Sequence, residues 1–307
     1  MNQKIQKTIK NWIKKLRIRF LTQKNKTQRP LSDKNFIKKT VSVAPMMDCT
    51  DRHDRYFLRL ISKNVKLYTE MIVANAIIRG DRDLLLKFNP LEKPLALQIG
   101  GSNPEELAQA SKIAENYGFD EINLNLGCPS KKVQKNKFGA CLMKEPSLVG
   151  ECVSKMKNAS SLPITVKTRI GFNDFEDYEY LKKFLTIIKN AGAKTFVIHA
   201  RRAILDKLTP KQNLTIPPLN YNFVYNIKKD FPNDVIVLNG GIDSIDKIRN
   251  HLKKVDGVMI GRAAYHSPYF LTEIEKEIFN NDNIPTRAEV MEKLIPYINE
   301  ETKKGTR

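Results

Sequence analysis

The sequence predicts an α/β fold of the (β/α)8 TIM barrel kind, and two observations carry that prediction. Eight short apolar runs alternate with helical patterns over about 220 residues, the arithmetic of a closed parallel barrel with helices on its outer face. The first strand-to-helix turn, APMMDCTDR, lacks the GxGxxG spacing that an open dinucleotide-binding sheet carries at that place.

The chain of 307 residues is long enough for one barrel-sized core with short appendages. Hydrophobic residues make up 41%, yet no run of 18 apolar residues occurs, which excludes a transmembrane helix. The four cysteines, Cys49, Cys128, Cys141 and Cys152, have no CxxC spacing; this predicts a reducing compartment and no metal site. Basic residues outnumber acidic ones by 53 to 33, a net charge of +20. Residues 1–40 hold 13 Lys and Arg against a single acid, Asp33, a net of +12, and the remainder holds 40 against 32. That distribution suggests a polyanionic partner, most simply nucleic acid.

Taken in order, residues 1–40 form a basic extension in which Ile5, Ile9, Trp12, Ile13, Leu16 and Phe20 recur at helical spacing among lysines. An amphipathic segment of this kind suits an organellar presequence, a membrane-surface helix or an RNA-gripping arm. The barrel is expected over residues 41–265. Its strands are VSVAP from Val41, LYTEM from Leu67, LALQIG from Leu95, EINLNLG from Glu121, ITVKTRI from Ile164, TFVIHA from Thr195, VIVLNGG from Val235 and GVMIGR from Gly257. Among the helices, the one in NPEELAQASKIAENYG has Asn103 as cap, Pro104 in the first turn, Glu105 and Glu106 suited to the helix dipole and Gly118 as its stop. The connection after strand four and the Pro-rich one after strand six are both lysine- or arginine-bearing and both lie on the catalytic side of a barrel. Residues 266–307 read as two helices with little core for an independent domain.

The strand ends collect the chemistry. Gln98, Asn125, Cys128, Lys167, His199, Asn239 and Arg262 all fall at or just past a strand's carboxyl end, where barrel topology gathers them into one pocket. Strands seven and eight end in NGGI and IGRA, glycines that let backbone amides approach a phosphate. Lys167, flanked by Val166 and Thr168, either points inward, where it needs an anion or a polar cofactor edge beside it, or reaches solvent, as a lysine at a strand end more often does. His199 is equally readable as a satisfied core histidine. Cys152 reads as core.

The blocks VAPMMDCTDRHDRYFLR, LYTEM, LALQIGGS, EINLNLGCPS, FGACLM, VKTRIG, IHAR, IPPLNY, LNGGI and DGVMIGRAAY resemble the tRNA-dihydrouridine synthases, specifically their A-type branch, from about Val41 to Ile278. The resemblance implies an FMN enzyme that reduces a D-loop uridine of tRNA, positions 20 and 20a by analogy, to 5,6-dihydrouridine with electrons from NADPH. By motif, Pro45, Met46 and Met47 would lie against the flavin, and Gln98 and Lys167 would hydrogen-bond its ring. His199 would contact the cofactor, and Asn239, Gly240, Gly241, Gly261 and Arg262 would hold its phosphate. Hydride from flavin N5 would reach uracil C6, and Cys128, a thiol protonated at neutral pH, would protonate C5 from the opposite face. Asn125 would hold the edge of a uracil flipped out of the D-loop, with Arg201, Arg202 and Lys211 as tRNA contacts near the pocket. The resemblance further implies that residues 266–307 begin a C-terminal helical tRNA-binding domain that is incomplete here.

Two rival readings stay open: an FMN barrel of the dihydroorotate dehydrogenase kind, against which the basic loops argue, and a tRNA-binding protein that keeps the fold without turnover. The expected protein is monomeric and cytoplasmic, or mitochondrial or plastid if the extension is a presequence. If the extension grips RNA, deleting residues 1–35 is expected to weaken tRNA binding and to flatten its salt dependence. An unchanged salt slope in a filter-binding titration assigns the extension to targeting instead.

Overall fold

A computed structural model describes residues 40–305, so the extension read over residues 1–40 lies outside the described residues apart from Thr40. Eight parallel strands follow one another as β1 (Thr40–Val43), β2 (Leu67–Val73), β3 (Leu95–Gly100), β4 (Glu121–Leu126), β5 (Ile164–Arg169), β6 (Thr195–His199), β7 (Val235–Asn239) and β8 (Gly257–Ile260). Their order in the sheet is β1-β8-β7-β6-β5-β4-β3-β2. The remaining seam closes just ahead of β2, where Val43 N–H donates to the Lys66 carbonyl at 2.9 Å and Lys66 N–H to the Val41 carbonyl at 3.0 Å. The sheet therefore has no open edge, and its inward side chains are sealed from solvent along the length of the barrel.

Alternation with a period of two decides which residues fill that interior. The outward residues Leu95, Leu97 and Ile99 of β3 and Ile122, Leu124 and Leu126 of β4 are completely buried under the helix shell. The helix Pro104–Asn116 contributes Leu107, Ala110 and Ala114 to this layer, and Pro146–Ala159 contributes Val149, Cys152, Val153 and Met156. Each fully buried aliphatic side chain stabilises the fold by about 1.5–3 kcal/mol. Stability thus resides mainly in the outer layer, which leaves the interior free to be polar. The interior divides accordingly. Ala44, Tyr68, Ala96, Val197, Val237 and Met259 form its apolar part, while Gln98, Glu121, Asn123 and Thr165 are buried polar groups on β3, β4 and β5.

The helix termini follow local rules. The Asn103 side chain accepts from Glu105 and Glu106 N–H at 3.0 and 3.1 Å, with Pro104 at the first helical position. Beyond β8, the helices Phe270–Phe279 and Arg287–Lys303 pack on the helix Arg52–Ile61. There the Tyr297 ring stacks on Tyr56 at 3.8 Å between centroids, and its hydroxyl meets His53 Nδ1 at 2.8 Å.

Buried Glu275 fastens this C-terminal pair to the turn before β2. It accepts from Asn64 N–H and Nδ2 at 2.8 Å each, from Asn281 Nδ2 at 2.6 Å and from the Ser62 hydroxyl. Burial alone would raise its pKa, but the donors on Ser62, Asn281 and Asn64 outweigh it and bring the carboxyl below its ordinary value. A depressed carboxyl stabilises the fold above its unfolded pKa and loses that contribution as pH falls through the folded one. Glu275→Gln is expected to cost roughly 2–3 kcal/mol in a denaturant titration at pH 7. The difference between variant and wild type is expected to shrink below about pH 4.

Candidate functional site

The carboxyl ends of the strands surround a cavity of about 1050 Å³. This exceeds the range of about 300–1,000 Å³ usual for a single small ligand, so there is room for two groups side by side. The wall brings together most of the residues singled out from the sequence. Pro45, Met46 and Met47 arrive from the turn after β1, Gln98 from β3, Asn125 and Cys128 from β4 and its turn, Lys167 from β5 and His199 from β6. Asn239, Gly240 and Gly241 close it from β7, and Gly261 and Arg262 from β8. Lys211 joins from the loop after β6. Arg201 and Arg202 stand apart from the wall. The Arg201 guanidinium turns back onto the carbonyls of Thr215 and Pro217, and Arg202 Nε lies 3.8 Å from Glu176.

The electrostatics of the cavity are one-sided. Lys167, Arg169, Lys211 and Arg262 face two acids, Asp48 and Asp243, and Asp243 already pairs with Lys247 at 2.7 Å. Among the described residues the Lys167 ammonium meets a single protein acceptor, Asn239 Oδ1 at 3.1 Å. Burial at the base of the cavity, with Arg169 nearby, lowers its pKa to about 7. His199 is pushed well below the ordinary imidazole value by burial and then by the positive charges of Arg169, Lys167, Arg201 and Arg262, so it stands neutral at pH 7. Burial raises the Cys128 thiol above its ordinary value, against the opposing pull of a Ser130 backbone donor and of Arg169 and Lys167. The thiol is therefore protonated at neutral pH and suits a proton donor better than a nucleophile.

Arg169 was not singled out from the sequence and organises the loops around the site. Its guanidinium donates to the Gly127 carbonyl at 3.0 Å and to the carbonyls of Arg202 and Asn213 at 3.1 Å each. One buried cation thus ties the β4 turn to two points of the loop after β6. Its signal was its spacing, since it stands two residues after Lys167 on β5 and shares the inward face. Asn213, fully buried, completes the loop by accepting from Ile204 N–H at 2.7 Å and donating to the Ile204 carbonyl at 2.9 Å.

Gly240 and Gly241 adopt φ of 117° and 69°, values that side chains other than glycine rarely take. A Cβ on Gly240 would lie 2.8 Å from His199 Cδ2, and one on Gly241 would lie 2.7 Å from Leu219 Cδ1. The backbone is thereby laid bare at the cavity wall. Asn125 has a double engagement. Its Oδ1 accepts from the N–H groups of Gly127 and Cys128 at 3.1 and 3.0 Å, and its Nδ2 donates to Gln98 Oε1 at 2.7 Å.

Among the described residues no helix is long and apolar enough to cross a membrane, and no cluster of three or more candidate metal ligands occurs. A family model described as dihydrouridine synthase matches residues 42–307. A tRNA-dihydrouridine(20/20a) synthase of Synechocystis sp. is 52% identical over 87% of this chain and 80% of its own length. Proteins of the same description from Vibrio parahaemolyticus and Shewanella oneidensis are 51% and 48% identical, over 86% and 90% of this chain and 82% and 83% of their own. Among solved structures, a 2-naphthoyl-CoA reductase complex superposes with a TM-score of 0.58 at 12% identity, covering 79% of this chain and 51% of that one, a likeness of fold alone.

Ligand-free stability is expected to respond to Lys167. A lysine whose folded pKa lies near 7 instead of about 10.4 leaves the unfolded chain binding more protons between those values, so stability rises with pH across that window. Denaturant titrations at pH 7, 8 and 9 should show a rise in the wild type that exceeds the rise in Lys167→Met. Equal slopes would mean that Lys167 keeps its full charge.

Proposed function

This chain belongs to the dihydrouridine synthase family, and we propose that it is an FMN enzyme that reduces uridine to 5,6-dihydrouridine at positions 20 and 20a of the tRNA D-loop, with NADPH as electron donor. Membership makes it an oxidoreductase. The finer assignment is carried by one observation: a largely buried thiol, Cys128, and the Lys167 ammonium, which has no carboxylate partner among the described residues, line the same cavity.

The residues present suit a flavin. Lys167 has a single protein acceptor and further N–H groups to offer to the ring's pyrimidine edge. The bare backbone of Gly240 and Gly241, beside Gly261 and Arg262, suits a phosphate at the opposite end, with Asn239 and His199 between. Gln98 would offer its remaining amide N–H to the ring, and Pro45, Met46 and Met47, the last 55% exposed, would cover it. When bound, the flavin supplies the hydride for uracil C6.

The chain's own residues do the rest. Hydride addition at C6 leaves enolate character at C5, and Cys128 donates its proton there from the face opposite the ring. Burial keeps that proton in place at neutral pH, and Arg169 and Lys167 stabilise the thiolate that remains. Asn125 has its oxygen occupied by the Gly127 and Cys128 N–H groups, which leaves one amide N–H to donate to a uracil carbonyl. One side chain thereby places base and thiol relative to each other. A stacked uridine does not reach this depth, so the base enters flipped out, its backbone held by Lys211 at the mouth and by the positive field of Arg201 and Arg202.

Cys128→Ala is expected to keep its flavin and to oxidise NADPH at the wild-type rate while dihydrouridine formation falls by about 10²–10⁴-fold. Flavin absorbance, NADPH consumption and nucleoside analysis of a D-loop-unmodified tRNA read the three separately. Full dihydrouridine formation by the variant removes Cys128 from the mechanism, and purified protein that neither contains nor takes up flavin removes the cofactor assignment.

A further inference from the structure

The barrel interior carries a hydrogen-bonded chain from its floor to the turn that bears Cys128. At the floor, buried Glu121 accepts from the Lys66 ammonium, from the Tyr68 hydroxyl at 2.8 Å and from the Thr165 hydroxyl at 2.7 Å. Thr165 Oγ1 accepts from Asn123 Nδ2 at 2.8 Å, and Asn123 Oδ1 from Gln98 Nε2 at 2.8 Å. Gln98 Oε1 accepts from Asn125 Nδ2 at 2.7 Å, and Asn125 Oδ1 from the Gly127 and Cys128 N–H groups. Glu121, Asn123, Gln98 and Thr165 are each no more than 3% exposed, so water does not substitute for a missing link.

The direction of the chain is determined at both ends. At the top stand two backbone N–H groups, which only donate, so Asn125 must present its oxygen to them and its nitrogen to Gln98. Carried downward, each amide then presents oxygen above and nitrogen below, until the Thr165 hydroxyl donates. At the bottom this requires a group that only accepts, and a carboxylate paired with a lysine is such a group. A reversed amide anywhere would oppose two donors or two acceptors in a buried site, at the cost of leaving both unsatisfied.

We propose that Glu121 is a positioning residue: through Thr165, Asn123 and Gln98 it sets the orientation of the Asn125 amide and so holds the Cys128 turn in place. The proposal builds on the reading of Cys128 as the proton donor, but its geometry does not require turnover. It also accounts for a carboxylate–lysine pair at the closed end of a barrel whose open end carries the site.

The test is the pH–rate profile of Cys128 alkylation by iodoacetamide in the protein as purified, with the modified cysteine identified by mass spectrometry. Thr165→Val and Glu121→Leu, each of which removes a link of the chain, are expected to free the Cys128 turn, lower the inflection of the profile and raise the rate at pH 7.5 by roughly tenfold, the equivalent of one pKa unit. The double variant is expected to go no further than either single one, because one break already interrupts the chain. Thr165→Ser, which keeps the hydroxyl, and Tyr68→Phe, which removes a donor to Glu121 outside the chain, are expected to match wild type. A purely structural role for Glu121 makes Tyr68→Phe and Glu121→Leu move together. Should the chain-breaking variants not fold, the side-chain NH2 signals of Asn123 and Gln98 in ¹⁵N-labelled wild type decide. They are expected to exchange with D2O far more slowly than those of exposed amides, and fast exchange overturns the proposal. An unchanged Cys128 profile in protein that still reduces uridine also overturns it and leaves the activity standing. The predicted contrast in protein without that activity supports the positioning and removes the proposed function.

Discussion

A closed barrel whose interior is partly polar must satisfy every buried donor and acceptor from within, and this requirement shapes the molecule from floor to mouth. The outer layer of aliphatic side chains between strands and helices supplies the stability. The inner face of β3, β4 and β5 is released from that task and holds Gln98, Glu121, Asn123 and Thr165 in a single network, with Lys167 above them on the same face. The network ends upward on the N–H groups of Gly127 and Cys128. The thiol therefore stands in a turn whose N–H groups are tied back to the strand it follows.

The second constraint is electrostatic. Lys167, Arg169, Arg262 and Lys211 converge with little carboxylate to balance them; burial first, and then positive charge on Arg169, Lys167, Arg201 and Arg262, keeps His199 neutral, and such a cluster suits an anionic ligand. A reduced flavin, its phosphate and the phosphates of an RNA backbone are all anionic, which is consistent with the proposed reaction. Arg169 has a further role, since its bonds to three carbonyls in two loops convert charge into shape. The loop after β6 is thereby drawn over the cavity, which brings Lys211 to the wall and turns Arg201 and Arg202 away from it.

Much of this was legible in the residue order because strands alternate. Once EINLNLG is read as a strand with Ile122, Leu124 and Leu126 outward, Glu121, Asn123 and Asn125 must face inward, and the next turn must present Cys128. The same period places Gln98, Lys167, His199 and Asn239 at one end of one barrel. Asn103 and Pro104 announced their helix start through the local chemistry of unsatisfied N–H groups. Arg169 shares the inward face of Lys167 and was legible by the same rule.

Local pattern does not report which side chains meet across strands far apart in sequence. That Glu121 finds Thr165 and Lys66, that Asn125 spends its oxygen on its own turn, and that Arg201 folds back onto Pro217 are facts of register and loop path. Sequence alone determined the barrel and most of the groups that its strand ends gather into one cavity, because strand period and strand-end position are local properties. Only the tertiary structure decided the direction of each hydrogen bond and the shifted titration of Lys167 and His199. Those depend on burial and on the distances between groups that folding alone brings together.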